Sequence, residues 1–384
     1  MLPDSFMNLI RLKHLELSNC CDLTLSDQTL GIISTLERLN FSNCHKIEGL
    51  APQVTHQPSL EELILDCTQL KELPSAIGDL RQLTSLSIMC CPIREVPFAS
   101  VEKVQGGSRL LDSSIDMCML RLNSLNLSNT RITEISFGEG VCPVLESLAL
   151  ERCNDLVEVG ALPTTLTLLD LMDCCALKKI TGLRGLAKLR YLYMSGCKEI
   201  EELPGLGVWE LNNLENLNLQ ECPISVLPFA SVEKVQGGRR FLDSSIDNCL
   251  LRLKSLSLSK TRITEISFGE GVCPVLESLY LAGCDDLVEV GALPTTLTSL
   301  YLTDCSALRK ITGLRGLAKL RDLDMAGCYT VEELPGLETL ISVEVLLTPE
   351  CENMKRIREL AEAANPESDV LKKVIQLMER DEEN

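Results

Sequence analysis

One pattern returns along the whole chain: apolar residues at the first, fourth and sixth places, a small residue at the ninth, and polar or variable residues between, L-x-x-L-x-L-x-x-C/T. It starts at Leu12, Leu36, Leu60, Leu83, Leu122, Leu145, Leu166, Leu189, Leu214, Leu253, Leu276, Leu297 and Leu320, and a degenerate fourteenth copy starts at Val343. The spacing is 21 to 25 residues, apart from two units of 39. Within each unit the third to seventh places alternate, as a short strand with one buried face requires. In LESLALERC, for example, Leu145, Leu148 and Leu150 point inward and the residues between them outward. A single strand of this kind cannot bury its apolar face alone. Stacked neighbours can, by pairing as a parallel sheet over a continuous leucine column. Further apolar anchors follow each turn, such as Leu156 and Val159 or Leu177 and Ile180, and in ELPSAIGDLRQL Pro74 fixes an extended stretch before the chain returns.

This period and consensus are those of leucine-rich repeats. The expected fold is an α/β leucine-rich-repeat solenoid, a curved horseshoe with a parallel concave sheet of about 14 repeats. It is expected over residues 1–353, with a C-terminal helical cap and acidic tail over 354–384. In that tail Val370, Leu371, Val374, Leu377 and Met378 share one helical stripe that Ser368 can start, and Met354 and Ile357 suit the closing of the final layer. The ninth place is Cys in eleven repeats (Cys20, Cys44, Cys91, Cys153, Cys174, Cys197, Cys222, Cys284, Cys305, Cys328 and Cys351) and Thr in three (Thr68, Thr130 and Thr261). The backbone turns inside the layer there, so a small side chain is needed, and a thiol or hydroxyl can still reach nearby backbone groups. Nineteen cysteines, an odd number, recurring mostly at one repeat position, stack rather than pair. They read as reduced thiols in a cytoplasmic protein, with the nucleus also open to it.

Residues 91–206 recur at 222–337 with a constant offset of 131, no gaps, and 25 differences in 116 pairs. Both copies carry PFASVEKVQGG, which accounts for the 39-residue units. Phe98, Val101 and Val104 are spaced for a helical turn ended by Gly106 and Gly107. The differences cluster. The four paired repeats offer twelve outward strand pairs, at the third, fifth and seventh places, and nine of these differ: Asn126/Ser257, Ala149/Tyr280, Glu151/Ala282, Leu168/Ser299, Asp170/Tyr301, Met172/Thr303, Tyr191/Asp322, Tyr193/Asp324 and Ser195/Ala326. The other 104 pairs hold 16 differences. Free drift of exposed residues is the plain explanation. Yet TRITEISFGEGVCP (130–143 and 261–274) and ITGLRGLAKLR (180–190 and 311–321) are identical while carrying several charged positions. The clustering therefore points to a concave face changed for recognition. Its candidate protein-binding residues are Asn126, Ala149, Glu151, Asp170, Met172, Tyr191, Tyr193, Tyr280, Tyr301, Thr303, Asp322 and Asp324. Four of the five tyrosines lie on this face, where folding does not require them, and tyrosine gives large contact area at low entropic cost.

A formal charge of −19 repels phosphates and anionic lipid, so neither nucleic acid nor a membrane is expected as a partner. The first residues show no secretory signal and no run of eighteen apolar residues occurs. There is no G-x-x-x-x-G-K-[ST], H-E-x-x-H or G-x-S-x-G, and the three histidines lie outside the duplication. No catalytic residue, cofactor or metal site is expected. Asp322 and Asp324, two apart on one strand, read as a solvated acidic surface rather than a cation site.

The unit L-x-x-L-x-L-x-x-C-x-x-L-x-E-L/V-P/G, and LEELILDCTQLKELPSAIGDLRQLTSLSI above all, resembles the repeat region of plant intracellular nucleotide-binding leucine-rich-repeat immune receptors, including those with Toll/interleukin-receptor-type front ends. The resemblance covers residues 2 to about 357. It implies binding of a pathogen effector or a guarded host protein, signal transduction in defence, and an upstream nucleotide-binding switch domain. LPDSFMNLIRL (2–12) aligns with LPSAIGDLRQL (73–83), so an upstream segment or a partner is expected to cover the first layer. A stand-alone relative of such receptors fits the same reading. A substrate-binding adaptor of a ubiquitin ligase is the alternative, since cysteine-ended repeats occur there too.

Overall fold

The structure is a computed structural model that describes residues 9–24, 34–99, 119–201, 211–227, 235–236, 239–240, 250–269, 271–332, 334–349, 354–359 and 368–381. It forms two compact units, Met1–Leu189 and Arg190–Asn384. In the first, seven three-residue strands pair in parallel in chain order: β1 (His14–Glu16), β2 (Arg38–Asn40), β3 (Glu62–Ile64), β4 (Ser85–Ser87), β5 (Ser124–Asn126), β6 (Ser147–Ala149) and β7 (Leu168–Asp170). The second repeats the arrangement with β8 (Tyr191–Tyr193), β9 (Asn216–Asn218), β10 (Ser255–Ser257), β11 (Ser278–Tyr280), β12 (Ser299–Tyr301), β13 (Asp322–Asp324) and β14 (Val345–Leu347). Every strand occupies the third to fifth places of a repeat, so the leucine-rich-repeat solenoid is present in the register that the sequence pattern sets. Leucines at the fourth place face leucines at the fourth place, as Leu125, Leu148 and Leu169 do, and all three are fully buried.

The ninth-place cysteines hold the layers together in a way the sequence only hinted at. Buried thiols donate to the sixth-place carbonyl of the preceding layer: Cys153 Sγ to Leu127 O at 3.2 Å, Cys174 to Leu150 at 3.1 Å, Cys222 to Met194 at 3.0 Å and Cys305 to Leu281 at 3.1 Å. Where threonine stands instead, the Thr130 and Thr261 hydroxyls donate to their own layer's sixth-place carbonyl, Leu127 O and Leu258 O, both at 2.7 Å, while the Thr68 hydroxyl meets Cys91 Sγ at 3.2 Å. Burial pushes the Cys153, Cys174 and Cys284 thiols up in pKa, which keeps the donated proton in place.

The eighth place carries a feature the sequence reading missed. All thirteen described residues there, from Asn19 to Gly327, have φ between 55° and 76°, the left-handed region. The chain turns its corner at that point, and Gly, Asn and Asp tolerate the conformation best.

On the return side, two-residue strands form a second parallel ladder in each unit: 134–135, 158–159 and 179–180, then 265–266, 289–290 and 310–311. Here a Cβ on Gly182 would overlap the Gly160 carbonyl, and one on Gly313 the Gly291 carbonyl. Ser136 Oγ accepts the Ala161 N–H at 3.0 Å, while Ile132, Ile135, Phe137 and Cys142 are buried. Packing thus accounts for the identity of the buried and close-packed positions in 130–143 and 180–190, but not for that of exposed charges such as Arg131, Glu139, Arg184 and Lys188.

The helical turn expected at Phe98–Val104 lies largely outside the described residues, though Phe98 itself is buried. In the second copy Val235 and Gln236 pair antiparallel with Arg240 and Arg239, a short strand pair rather than the end of a helix. Beyond the last repeat, α1 (Asp369–Asp381) packs on β14 and on the 3-10 turn Leu337–Thr339. Val374 is buried, and so is Ile375, which the stripe had omitted. Met354 and Ile357 are buried as expected.

Candidate protein-binding face

The third, fifth and seventh places of each repeat form rows across the solvent side of each strand ladder. Most of these side chains are half-buried, because neighbouring strands stand one ladder step apart and flank them. In the first unit, Asn126, Ala149 and Asp170 lie opposite one another on β5, β6 and β7. Glu151 and Met172 follow two places along. Arg152 approaches both Glu151 (3.4 Å) and Asp173 (3.6 Å). Burial raises the Asp170 carboxyl above its ordinary pKa; the Met172 N–H opposes this, and Glu151 and Asp173 add to the rise.

In the second unit the tyrosines come together in two pairs. Tyr191 and Tyr193, two apart on β8, have ring centroids 6.4 Å apart. The Arg190 guanidinium sits 5.4 Å from the Tyr191 ring centroid and is itself held by Glu215 at 2.8 Å, with Lys254 at 3.8 Å from the same carboxylate. Tyr280 and Tyr301, in register on β11 and β12, stack face to face at 4.9 Å and 6°. Beside them, Ser299 Oγ donates to Asp322 at 3.0 Å and Thr303 Oγ1 to Asp324 at 2.8 Å.

Three of the predicted residues carry a backbone duty as well. Asn126 Oδ1 accepts the Ser128 N–H at 3.0 Å, Asp170 Oδ1 that of Met172 at 3.0 Å, and Asp324 Oδ1 that of Ala326 at 2.9 Å. Asn40 and Asn218 do the same for Ser42 and Gln220. An acceptor side chain at the fifth place therefore closes the strand onto the seventh. The signal was in the sequence, as Asn or Asp recurring at one place in the repeat.

Sequence reasoning also missed two open clefts at equivalent places in the two copies. The first, 630 Å3, is lined in part by Asn129, Arg131, Arg152, Asn154 and Asp155. The second, 480 Å3, has Lys260, Arg262, Gly283, Asp285 and Asp286 at the matching positions. Asn129/Lys260, Arg152/Gly283 and Asn154/Asp285 are differences between the copies that lie off the three outward rows, so the variation extends from the strand face to its edge. Among the described residues no three His, Cys, Asp or Glu side chains are grouped to hold a metal ion. No described helix is long and apolar enough to cross a membrane.

No protein-family model matches the chain. Curated relatives are plant disease-resistance proteins. The chain is 26% identical over 363 residues to Protein SUPPRESSOR OF npr1-1, CONSTITUTIVE 1 of Arabidopsis thaliana, covering 91% of this chain and 23% of that protein. It is 26% identical over 319 residues to Disease resistance protein RRS1 of the same plant, covering 77% of this chain and 22% of the relative. The chain thus spans under a quarter of the length of these relatives. Among solved structures it is similar to a leucine-rich-repeat protein of Leptospira interrogans, with TM-score 0.61 and 20% identity over 94% of this chain and 91% of that one.

Proposed function

We propose that this chain is the ligand-sensing repeat region of a plant-type immune receptor, or a stand-alone relative of one, and that it holds a protein against the solvent side of its strand ladders. The observation that carries the reading is the Tyr280–Tyr301 stack. Two large rings lie parallel on the outer face of β11 and β12, half-buried and outside the leucine core. The first copy has Ala149 and Asp170 in their place with the same strands beneath. Folding does not require the rings, whereas rigid, paired aromatics suit a binding hot spot. Curated disease-resistance relatives of which this chain covers under a quarter support an upstream nucleotide-binding switch. Ninth-place cysteines such as Cys153, Cys174 and Cys305, which use their thiol protons as hydrogen-bond donors between layers, support a reducing compartment, the cytoplasm with the nucleus open to it. The partner is an effector or a guarded host protein.

The test uses a partner captured on the immobilised chain from plant tissue, identified by mass spectrometry and then titrated by calorimetry. Tyr280→Ala with Tyr301→Ala is expected to weaken binding by more than about 2 kcal/mol, or roughly thirtyfold in Kd. Unchanged affinity with an unchanged circular dichroism spectrum would sink the assignment of this face.

A further inference from the structure

We propose that Cys67 and Cys90 form a cross-layer dithiol that a small-molecule disulfide of the glutathione class converts into a protein disulfide, stapling the third repeat layer to the fourth. Both residues occupy the eighth place, at φ 56° and 60°. At that corner most other layers use Asn, Asp or Gly, which accept the left-handed backbone, and cysteine brings no such advantage. Nor is packing the reason. Both thiols are half-buried, whereas their ninth-place neighbour Cys91 is buried and donates to Leu65 O at 3.1 Å.

Side chains in this row meet across layers. Asn43 Nδ2 donates to Asn19 Oδ1 at 3.0 Å, and Asn129 Nδ2 to Cys90 Sγ at 3.2 Å. The Cys67 N–H donates to the Met89 carbonyl at 2.7 Å, and β3 and β4 run in register just before the pair. Neighbouring backbones are thus one ladder step apart, about 4.8 Å, inside the roughly 4.4–6.8 Å that Cα atoms of a disulfide span. The thiols themselves are close enough to interact: burial first, and then the Cys90 thiol beside it, push the Cys67 thiol up to about 11.

The chemistry closes in two exchanges. One cysteine, as its thiolate, attacks a sulfur of the small disulfide; an S–S bond breaks, one small thiolate leaves, and a mixed disulfide remains on the protein. The second cysteine loses its proton and attacks the protein-bound sulfur, displacing the other small thiolate. Two protein thiols are oxidised, one small disulfide is reduced to two thiols, and both protons go to the departing thiolates. In a reducing compartment the pair stands open, and it closes as the oxidised small disulfide accumulates.

The experiment oxidises the full chain with glutathione disulfide at increasing ratios to glutathione, then maps unreduced peptides by mass spectrometry. A Cys67–Cys90 cross-linked peptide, two hydrogens lighter than the separate thiol peptides, is expected before any other intramolecular pair. Oxidation should also raise the thermal midpoint of the wild-type chain, and reductant should reverse the rise. Cys67→Ser and Cys90→Ser should each lose the cross-link and the shift, leaving a stable glutathione adduct on the remaining cysteine. Glutathione adducts on Cys67 and Cys90 of the wild-type chain with no bond between them would overturn the proposal. So would another intramolecular cross-link forming first.

Discussion

Leu300 lies at the centre of β12, beneath the tyrosine stack, with Leu279 and Leu323 opposite it in the adjoining layers. All three are fully buried. Leu300→Ala removes three methylene equivalents from water-free surroundings, about 2.4 kcal/mol at about 0.8 kcal/mol each. The void left is roughly 75 Å3 if nothing relaxes, which at about 24 cal/mol per Å3 adds about 1.8 kcal/mol. The expected loss is therefore up to about 4 kcal/mol, within the roughly 2–5 kcal/mol found for such truncations. In a solenoid each layer touches only its neighbours, so the damage should appear first in the repeats that start at Leu276, Leu297 and Leu320. Urea unfolding followed by circular dichroism gives the magnitude, and hydrogen exchange resolved by peptide gives the place. A loss below about 1 kcal/mol, or exchange that rises equally in Met1–Leu189, would refute the reasoning. The first outcome would mean the leucine column repacks freely, and the second that the layers do not unfold as neighbours.

Three further outcomes follow from particular residues. Gly182→Ala should lower the thermal midpoint markedly, because its Cβ meets the Gly160 carbonyl rather than a movable side chain; calorimetry of the full chain checks this against Gly49→Ala, where a Cβ meets nothing within 4 Å. Brief iodoacetamide treatment of the native protein should label the exposed Cys20 and Cys21 and spare Cys153, Cys174 and Cys284, whose thiols are buried and raised in pKa; peptide mass spectrometry reads the pattern, and early labelling of the buried set would contradict the packing. Asp170→Asn keeps an acceptor for the Met172 N–H and removes a charge that burial disfavours. Because the folded pKa is raised, the fold binds the proton more tightly than the unfolded chain, and the charge costs stability above the folded pKa but not below the unfolded one. The variant should thus be more stable than the wild type at pH 7, with the advantage fading as the pH falls to below the ordinary carboxylate range; denaturant midpoints across that range decide it.

The sequence by itself determined the solenoid, the number of layers and the register of all fourteen strands. An inward leucine cannot slip by one place without turning a whole face outward, so a period of leucines fixes which residues lie in β1 to β14. It also placed Tyr191, Tyr193, Tyr280 and Tyr301 on one side of the strands, because side chains alternate with a period of two. What it could not determine were distances between residues that are far apart in the chain and become neighbours only when layers stack. The 4.9 Å stack of Tyr280 on Tyr301 spans 21 residues, and the 2.7 Å hydrogen bond from the Cys67 N–H to the Met89 carbonyl, which brings Cys67 beside Cys90, also joins residues of successive layers. The same holds for the Gly160–Gly182 approach, which makes glycine a steric requirement at position 182. The left-handed corner at the eighth place hid for a different reason: cysteine, arginine, glutamate and lysine occupy it alongside Asn and Gly, so residue type alone does not mark it. Periodicity specifies which residues share a layer and a face. Contact between layers is set by the spacing of the stacked backbones, and that distance exists only in the folded chain.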